Sequence, residues 1–296
     1  MEDPKDPTED IKEDSRESVG TVGFKIFELG TKIKQYENNA ETLKILDPTK
    51  YTLLRVDGHG FSKFTRPFLK PCDSIISDAM IRATGDWLKM MGGITAYTQS
   101  DESTLLIPPS KIDTETQQPR VMMYSGRTTK LCTLSAGFFS ARFNFYLMEK
   151  LDSILKNDKR RVNIQSGMAY FDCRVFQCDP CDVVDVFLWR RLDAFRNGVH
   201  AIARTRFSSK QLLHCNIEKQ LEMIRQVDPI LITAFPHLTY GTWVKKKLVQ
   251  KESVDQQTNL PVTVMRTELI FVNKLSESSS EFDIPQLSVL SVYHDE

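Results

Sequence analysis

Three carboxylates stand at the ends of predicted β-strands, where they could bind a metal ion together. Asp57 directly follows the apolar run YTLLRV, and the pair Asp101-Glu102 separates the runs ITAYTQ and STLLIP. Adjacent carboxylates repel one another, so either solvent screens their charges or a cation binds to them. Carboxylate oxygens from two strands suit a hard cation such as Mg²⁺, which takes its other ligands from water and substrate phosphates.

The turn after Asp57 has a composition that suits a phosphate group. Gly58 and Gly60 flank His59, and glycines let backbone N–H groups approach a triphosphate closely. Two Mg²⁺ ions held there would stabilise the attacking and leaving oxygens of a phosphoryl transfer. The same residues also have a plainer interpretation, because Asp-Gly is a common turn signal and Ser-Asp-Glu could form a solvated hairpin tip.

The order of the predicted elements decides whether these carboxylates can meet. Apolar spacing predicts strands over 51–56, 94–99, 103–108, 162–176, 239–250 and 261–273, and helices over 73–91, 128–155, 179–207 and on to about 226. A short amphipathic helix is expected within 21–40, and 112–120 is expected to be a surface loop. The order matches an α+β fold with a split βαβ (ferredoxin-like) antiparallel sheet and helices on one face. In this fold Asp57 and Asp101 project from neighbouring strand ends.

Charge divides the chain into a short acidic segment and a mildly basic remainder. Residues 1–19 hold eight acids and three bases, whereas the whole chain of 296 residues is neutral, so the remainder carries a charge of +5. We expect a disordered acidic tail over 1–20, a catalytic domain over 21–210, and a C-terminal helix and strand extension over 211–296. A basic body permits a nucleic-acid partner. No apolar run approaches the roughly 20 residues that span a bilayer, so no membrane partner is expected.

Several motifs together resemble the tRNA-His guanylyltransferase superfamily, and most closely its guanylyltransferase-like branch of 3′-to-5′ polymerases. The motifs are LGTKIKQYEN (29–38), RVDGHGFSKFTRPFLKPCD (55–73), YTQSDESTLL (97–106), GRTTK (126–130), FDCRVF (171–176) and VFLWRRLDAFRNG (186–198). The resemblance covers about residues 27 to 210 and implies a palm-like nucleotidyltransferase domain with two Mg²⁺ ions. It also implies ATP and GTP or other nucleoside triphosphates as substrates, tRNA as partner, and a homotetramer.

The resemblance also implies roles for particular residues. Asp57 and Asp101 would bind the metal ions together with the carbonyl of Gly58, and Glu102 would be the acidic neighbour that supports this catalytic site. The expected nucleotide-binding residues are Gly58, His59, Gly60, Phe61, Ser62, Lys70, Asp73, Ser100, Arg127, Lys130 and Asn197.

Departures from the family pattern indicate which branch the chain follows. Enzymes that add guanosine to tRNA-His have a His-Ile-Asn-Asn stretch where this chain reads Phe195-Arg196-Asn197-Gly198. The usual Arg and His of the turn motif are His59 and Ser62 here. We therefore expect template-dependent nucleotide addition to the 5′ end of truncated tRNAs, in which the 3′-OH of a nucleoside triphosphate attacks an activated 5′ phosphate.

Three alternatives stay open at the level of sequence. They are tRNA-His guanylylation at the −1 position, a nucleotide cyclase of the same architecture, and a non-catalytic RNA-binding palm protein. Six cysteines without a recognisable signal peptide suggest a reducing compartment. Cytoplasm is the expected location, with the mitochondrion as an alternative.

Overall fold

The structure is a computed structural model that describes residues 45–273 and 293–294. The predicted acidic tail, the helix within 21–40 and the motif at 29–38 lie outside these residues. Within the described part, no helix combines the length and the apolar character that crossing a bilayer requires.

An antiparallel sheet of six strands organises the fold. Its strands are β1 Tyr51–Gly58, β2 Thr95–Gln99, β3 Glu102–Ile107, β4 Phe171–Cys178, β5 Thr242–Val254 and β6 Pro261–Val272, in the spatial order β4-β1-β3-β2-β5-β6. A short strand β7, Tyr293–His294, pairs in parallel with β5. The C-terminal strand β5 pairs with β2, so it extends the sheet that carries the acidic residues.

Helices complete the structure on both sides of this sheet. They are α1 Phe61–Phe64, α2 Ser74–Met90, α3 Thr128–Met148, α4 Arg160–Ser166, α5 Pro180–Arg206, α6 Ser209–Leu212, α7 Ile217–Val227 and α8 Pro236–Tyr240. Single 3₁₀ turns occur at Met123–Gly126 and Leu151–Ser153.

The alternation of side chains in β1 explains why both faces of the sheet are covered. Leu54 and Val56 pack in one apolar core with side chains of α2 and α3, including Trp87 and Phe139. Leu53 points the other way and packs with Phe187 of α5. Successive residues of a strand face opposite sides, so two cores require helices on two sides. The predicted α+β antiparallel sheet is confirmed, but the expectation that its helices lie on one face is wrong.

One predicted strand begins in the wrong place. The segment 162–176 was expected to be extended, whereas 160–166 is helix α4 and the strand starts only at Phe171. Gly167, with φ +60°, ends the helix in the left-handed conformation that glycine adopts at little cost. The long helix predicted over 128–155 ends at Met148, and Phe145 and Met148 are exposed at its C-terminal end.

Candidate active site

The end of β1 and the β2–β3 turn lie side by side. The N–H of Gly58 donates a hydrogen bond to the carbonyl oxygen of Asp101 at 3.0 Å, and Asp57 is the cross-strand partner of Glu102. A Cβ atom at position 58 would lie 2.6 Å from Cδ2 of Phe61 and 3.0 Å from Cβ of Asp101. Only glycine allows this close approach without displacing the neighbouring groups. The backbone therefore holds Asp57 and Asp101 next to each other, as the strand order predicted.

A tight turn presents Asp101. Strands β2 and β3 are joined by two residues only, Ser100 and Asp101, and Ser100 has φ +54°. A side chain in this left-handed region costs roughly 1–2 kcal/mol, and glycine or asparagine is the usual choice there. The hydroxyl of Thr98 donates to the carbonyl oxygen of Glu102 at 2.9 Å and helps to fix the turn.

The two aspartates lie in surroundings that disfavour their negative charge. Burial, and then the charge of Asp172 on the neighbouring strand β4, raise the pKa of Asp57. Burial and then the charge of Asp57 raise the pKa of Asp101. Within residues 45–273, no lysine or arginine lies within ion-pair distance of either carboxylate. A divalent cation between them would supply the missing positive charge.

The donor set fits a magnesium site of the kind that nucleotide enzymes use. Among the described residues there is no group of three or more His, Cys, Asp or Glu side chains arranged to hold a metal. Mg²⁺ commonly uses only one or two protein carboxylates and completes its coordination with water and phosphate oxygens. Asp57 and Asp101, with a backbone carbonyl beside them, can therefore hold Mg²⁺ when a nucleotide supplies the other ligands.

Glu102 is engaged differently from the two aspartates. Its Oε2 lies 2.8 Å from Nη1 of Arg190 on α5 and 4.0 Å from Nε of Arg55 on β1. The guanidinium of Arg190 lies over the ring of Trp189, 3.4 Å from its centroid. Burial raises the pKa of Glu102, and the charge of Arg190 opposes that shift. Glu102 therefore links the β2–β3 turn to helix α5.

One cleft of about 870 Å³ brings together seven of the fourteen predicted site residues. The predicted residues that line it are Asp57, Ser62, Lys70, Ser100, Asp101, Glu102 and Asn197. Asn197 donates from Nδ2 to Oδ2 of Asp193 at 3.1 Å, and Lys70 donates from Nζ to the carbonyl oxygen of Thr65 at 3.1 Å. The cleft thus offers a negative end at the aspartates and cationic side chains along its walls.

Four predicted nucleotide-binding residues lie elsewhere around the 58–73 segment. His59 and Gly60 line a separate cavity, and Phe61 is buried in the apolar core. The carboxylate of Asp73 accepts hydrogen bonds from the N–H groups of Leu69 and Ile75 and from Arg160, and so caps α2. The Asp73 side chain therefore already serves the fold, and its role with a nucleotide stays a prediction.

Two predicted basic residues lie away from the cleft. Arg127 forms an isolated β-bridge with Ile45, and Lys130 is exposed in the first turn of α3. Neither residue lines the cleft, and α3 packs on the opposite face of the sheet from α5. Their contact with a triphosphate or an RNA end stays a prediction.

Some residues at the site were missed in the sequence. Asp172 pairs with Asp57, and Arg174 pairs with Arg55 two residues further along β4. These pairs depend on the register between β4 and β1, which no local sequence pattern specifies. Arg190 could be recognised from its motif, but its partner Glu102 is known only from the folded chain.

Comparison with known proteins matches this geometry to a family. Residues 30–179 match the sequence profile described as Thg1, tRNAHis guanylyltransferase. The chain is 30% identical over 235 residues to protein R259 of Acanthamoeba polyphaga mimivirus, covering 76% of this chain and 80% of that relative. It is 25% identical over 172 residues to the tRNA(His) guanylyltransferase of Debaryomyces hansenii, covering 57% of each chain.

Solved structures agree with the sequence comparison. A bacterial tRNA(His) guanylyltransferase-like protein in complex with ATP superposes with a TM-score of 0.62 at 26% identity, over 73% of this chain and 88% of that one. The Saccharomyces cerevisiae tRNA(His) guanylyltransferase shares the fold with a TM-score of 0.57 at 20% identity, over 71% and 91% of the two chains. The chain therefore belongs to the tRNAHis guanylyltransferase family of nucleotidyltransferases, as its motifs predicted.

Proposed function

We propose that this enzyme restores missing nucleotides at the 5′ end of truncated tRNAs, growing the strand in the 3′-to-5′ direction and copying the opposing strand. Its family adds nucleotides to tRNA 5′ ends. Bacterial relatives of the same fold have been solved in complex with ATP and with GTP, which supports nucleoside triphosphates as substrates here.

The observation that carries this choice is the way α5 packs against α8. At the position of the family's His, the ring of Phe195 stacks on Tyr240 with a centroid distance of 6.1 Å. At the position of the second Asn, a Cβ atom on Gly198 would lie 2.6 Å from the carbonyl oxygen of Leu238. These two positions serve helix packing, so the His and the second Asn of the tRNA-His-specific motif have no equivalent side chains here, and only its first Asn remains, as Asn197. Choice of nucleotide by pairing with a template needs no such motif.

The chemistry follows from the cleft. Asp57 and Asp101, with the carbonyl of Gly58, would hold Mg²⁺, which lowers the pKa of an attacking hydroxyl and neutralises phosphate charge. In the reaction, the 3′-oxygen of the incoming nucleotide bonds to the 5′ phosphorus of the RNA, and the bond to pyrophosphate breaks. An RNA with a 5′ monophosphate would first be adenylylated by ATP with release of pyrophosphate, and AMP would then leave when the 3′-oxygen bonds to the 5′ phosphorus. Lys70 lines the cleft, where its ammonium can contact triphosphate oxygens.

The direct test uses a tRNA that lacks its first nucleotide and carries a 5′ triphosphate. With Mg²⁺ and all four nucleoside triphosphates, the wild type should add the nucleotide that pairs with the opposing base. Asp57→Asn and Asp101→Asn should each lower the rate by more than ~100-fold. Loss of a residue that only supports a metal ligand typically lowers activity by roughly 10- to 100-fold, and loss of a direct ligand should lower it further. Asp185→Asn, at an exposed position of α5, is the control and should keep full activity. Undiminished activity in either site variant would contradict the assignment.

A second assay separates repair from tRNA-His guanylylation. The base opposite the missing nucleotide is changed to each of the four bases, and the added nucleotide is identified by sequencing. Templated repair requires that the added nucleotide is complementary to the opposing base in each of the four substrates. Addition of guanosine whatever the opposing base, or to full-length tRNA-His, would favour guanylylation instead. We also propose a homotetramer in the cytoplasm, which sedimentation of the purified enzyme and imaging of a tagged chain can check.

A further inference from the structure

A second cavity of about 880 Å³ lies beside the 58–60 turn and is separate from the cleft. We call it the basic groove, and its characteristic lining residues are His59, Lys63, Arg66, Lys159, Met168 and Tyr170. Helix α1 and the turn that follows it form the wall between the two cavities. Ser62 and Thr65 line the cleft, whereas Lys63 and Arg66 line the groove. The groove therefore lies directly beside the turn that follows Asp57.

The groove carries positive charge that no acid among the described residues compensates. Its lining includes Lys63, Arg66 and Lys159, and the described residues that line it include no Asp or Glu. Within residues 45–273, none of these three side chains forms an ion pair. The nearest acid in sequence, Asp158, is already bound to Arg160 at 2.7 Å. Such a surface favours an anionic ligand with several charges.

The groove also offers a flat, exposed aromatic surface. The rings of His59 and Tyr170 stack with a centroid distance of 5.1 Å and an interplanar angle of 21°. Tyr170 is 50% exposed and Met168 is 65% exposed. Aromatic groups beside cationic side chains match the alternation of bases and phosphates in a nucleic acid strand.

We propose that the basic groove binds two or three nucleotides of unpaired RNA next to the reacting 5′ end. Lys63, Arg66 and Lys159 contact phosphates, and the His59–Tyr170 stack supports one base. This inference rests on the proposed function, because RNA is the substrate that the neighbouring cleft must receive. It adds a specific RNA-binding surface on the far side of α1 from the metal site.

The test compares two triple variants by fluorescence anisotropy with a labelled tRNA that lacks its first nucleotide. The groove variant is Lys63→Ala, Arg66→Ala and Lys159→Ala. The control variant is Lys111→Ala, Lys210→Ala and Arg225→Ala, which removes the same charge from exposed positions outside the groove. The groove variant should bind the tRNA at least about tenfold more weakly at low salt, and its slope of log affinity against log salt should be smaller by about 2. The control variant should bind like the wild type.

A matched pair of variants at Tyr170 tests the aromatic part of the groove. Tyr170→Ala should weaken binding of the same tRNA by about tenfold, since stacking on an aromatic ring stabilises a bound base by roughly that factor. Tyr170→Phe keeps the ring and should bind like the wild type. Thermal melting of every variant should match the wild type, because the changed side chains are exposed.

The outcomes distinguish this inference from the proposed function. If the groove variant binds tRNA like the wild type, or if the control variant weakens binding equally, the groove assignment is overturned. It is also overturned if the groove variant loses affinity for nucleoside triphosphate with Mg²⁺ while it keeps its affinity for tRNA. A wild type that binds the tRNA through the groove but never extends it would overturn the proposed function and leave the groove assignment standing.

Discussion

At the scale of single residues, the candidate metal site is destabilising until a cation fills it. Burial raises the pKa of both Asp57 and Asp101 above their ordinary value of 3.8, and each is further opposed by a neighbouring carboxylate. Both carboxylates contribute most to the stability of the folded state when protonated. This contribution is complete below the ordinary pKa and is lost as the pH rises through the raised pKa of the folded state. At neutral pH without a cation, the aspartates therefore weaken the fold that presents them.

Asp101→Asn should consequently stabilise the cation-free protein while it removes activity. In buffer with a chelator at pH 7, we expect its free energy of unfolding to exceed that of the wild type by ~0.5–2 kcal/mol, the usual gain from relieving an unfavourable charge. The difference should shrink as the pH falls through the raised pKa of the folded state, because the wild-type carboxylate is then protonated in the folded protein. Urea unfolding at several pH values measures it. A variant that is less stable than the wild type at pH 7 would contradict the electrostatic account.

At the scale of elements, the close contact between α5 and α8 can be tested with a matched pair of glycines. Gly198→Ala places a methyl group 2.6 Å from the carbonyl oxygen of Leu238 and should destabilise the protein by about 1–3 kcal/mol. Gly137 lies in the exposed part of helix α3, with nothing within 4 Å of the added Cβ. Gly137→Ala should therefore stabilise by roughly 0.5–1 kcal/mol, since alanine is the better helix former. Chemical denaturation of both variants measures the contrast, and equal effects would refute the packing account.

The ion pair between α5 and β3 gives a second test at this scale. Arg190→Ala would leave Glu102 largely buried, with only Arg55 nearby at 4.0 Å. We expect a loss of about 2–3 kcal/mol, somewhat below the value for a fully buried pair because the Glu102 side chain is 22% exposed. Arg196→Ala on the same helix breaks an exposed pair with Asp193 and should cost less than ~1 kcal/mol. If Arg190→Ala has no larger effect than Arg196→Ala in urea unfolding, the Glu102 link does not stabilise the site.

The elements also show what the sequence could and could not predict. Strand β1 and helix α5 were located within a few residues because their apolar periodicity is strong and their neighbours are clear turn signals. Helix α4 was missed because Val162 and Ile164 alternate with polar residues as they would in a strand, although Gly167 marks a helix end. The path of the chain after the edge strand β4 determines which face of the sheet α5 covers. That face in turn determines that Arg190 lies next to Glu102. No local pattern encodes that crossing.

At the scale of the whole molecule, the chain combines a mildly basic body with an acidic N-terminal segment. Residues 1–19 carry eight acids and three bases, and the remainder carries +5. The acids of this segment are on the same chain as the cations of the basic groove. Their negative charge lowers the electrostatic attraction of the chain for RNA over the distance at which salt does not screen it. That distance is about 10 Å at 0.1 M salt and about 3 Å at 1 M.

Replacing the eight acids of residues 1–19 by their amides should therefore strengthen tRNA binding in a salt-dependent way. The change raises the net charge from zero to +8, and at low salt we expect affinity to rise by about three- to tenfold, chiefly through faster association. The gain should vanish near 1 M salt, where charges beyond contact no longer interact. Stopped-flow association and equilibrium anisotropy with the 5′-truncated tRNA, across a salt series, measure both effects. A gain that persists unchanged at high salt would mean that the segment acts by a specific contact, and long-range charge would then not explain how it affects RNA binding.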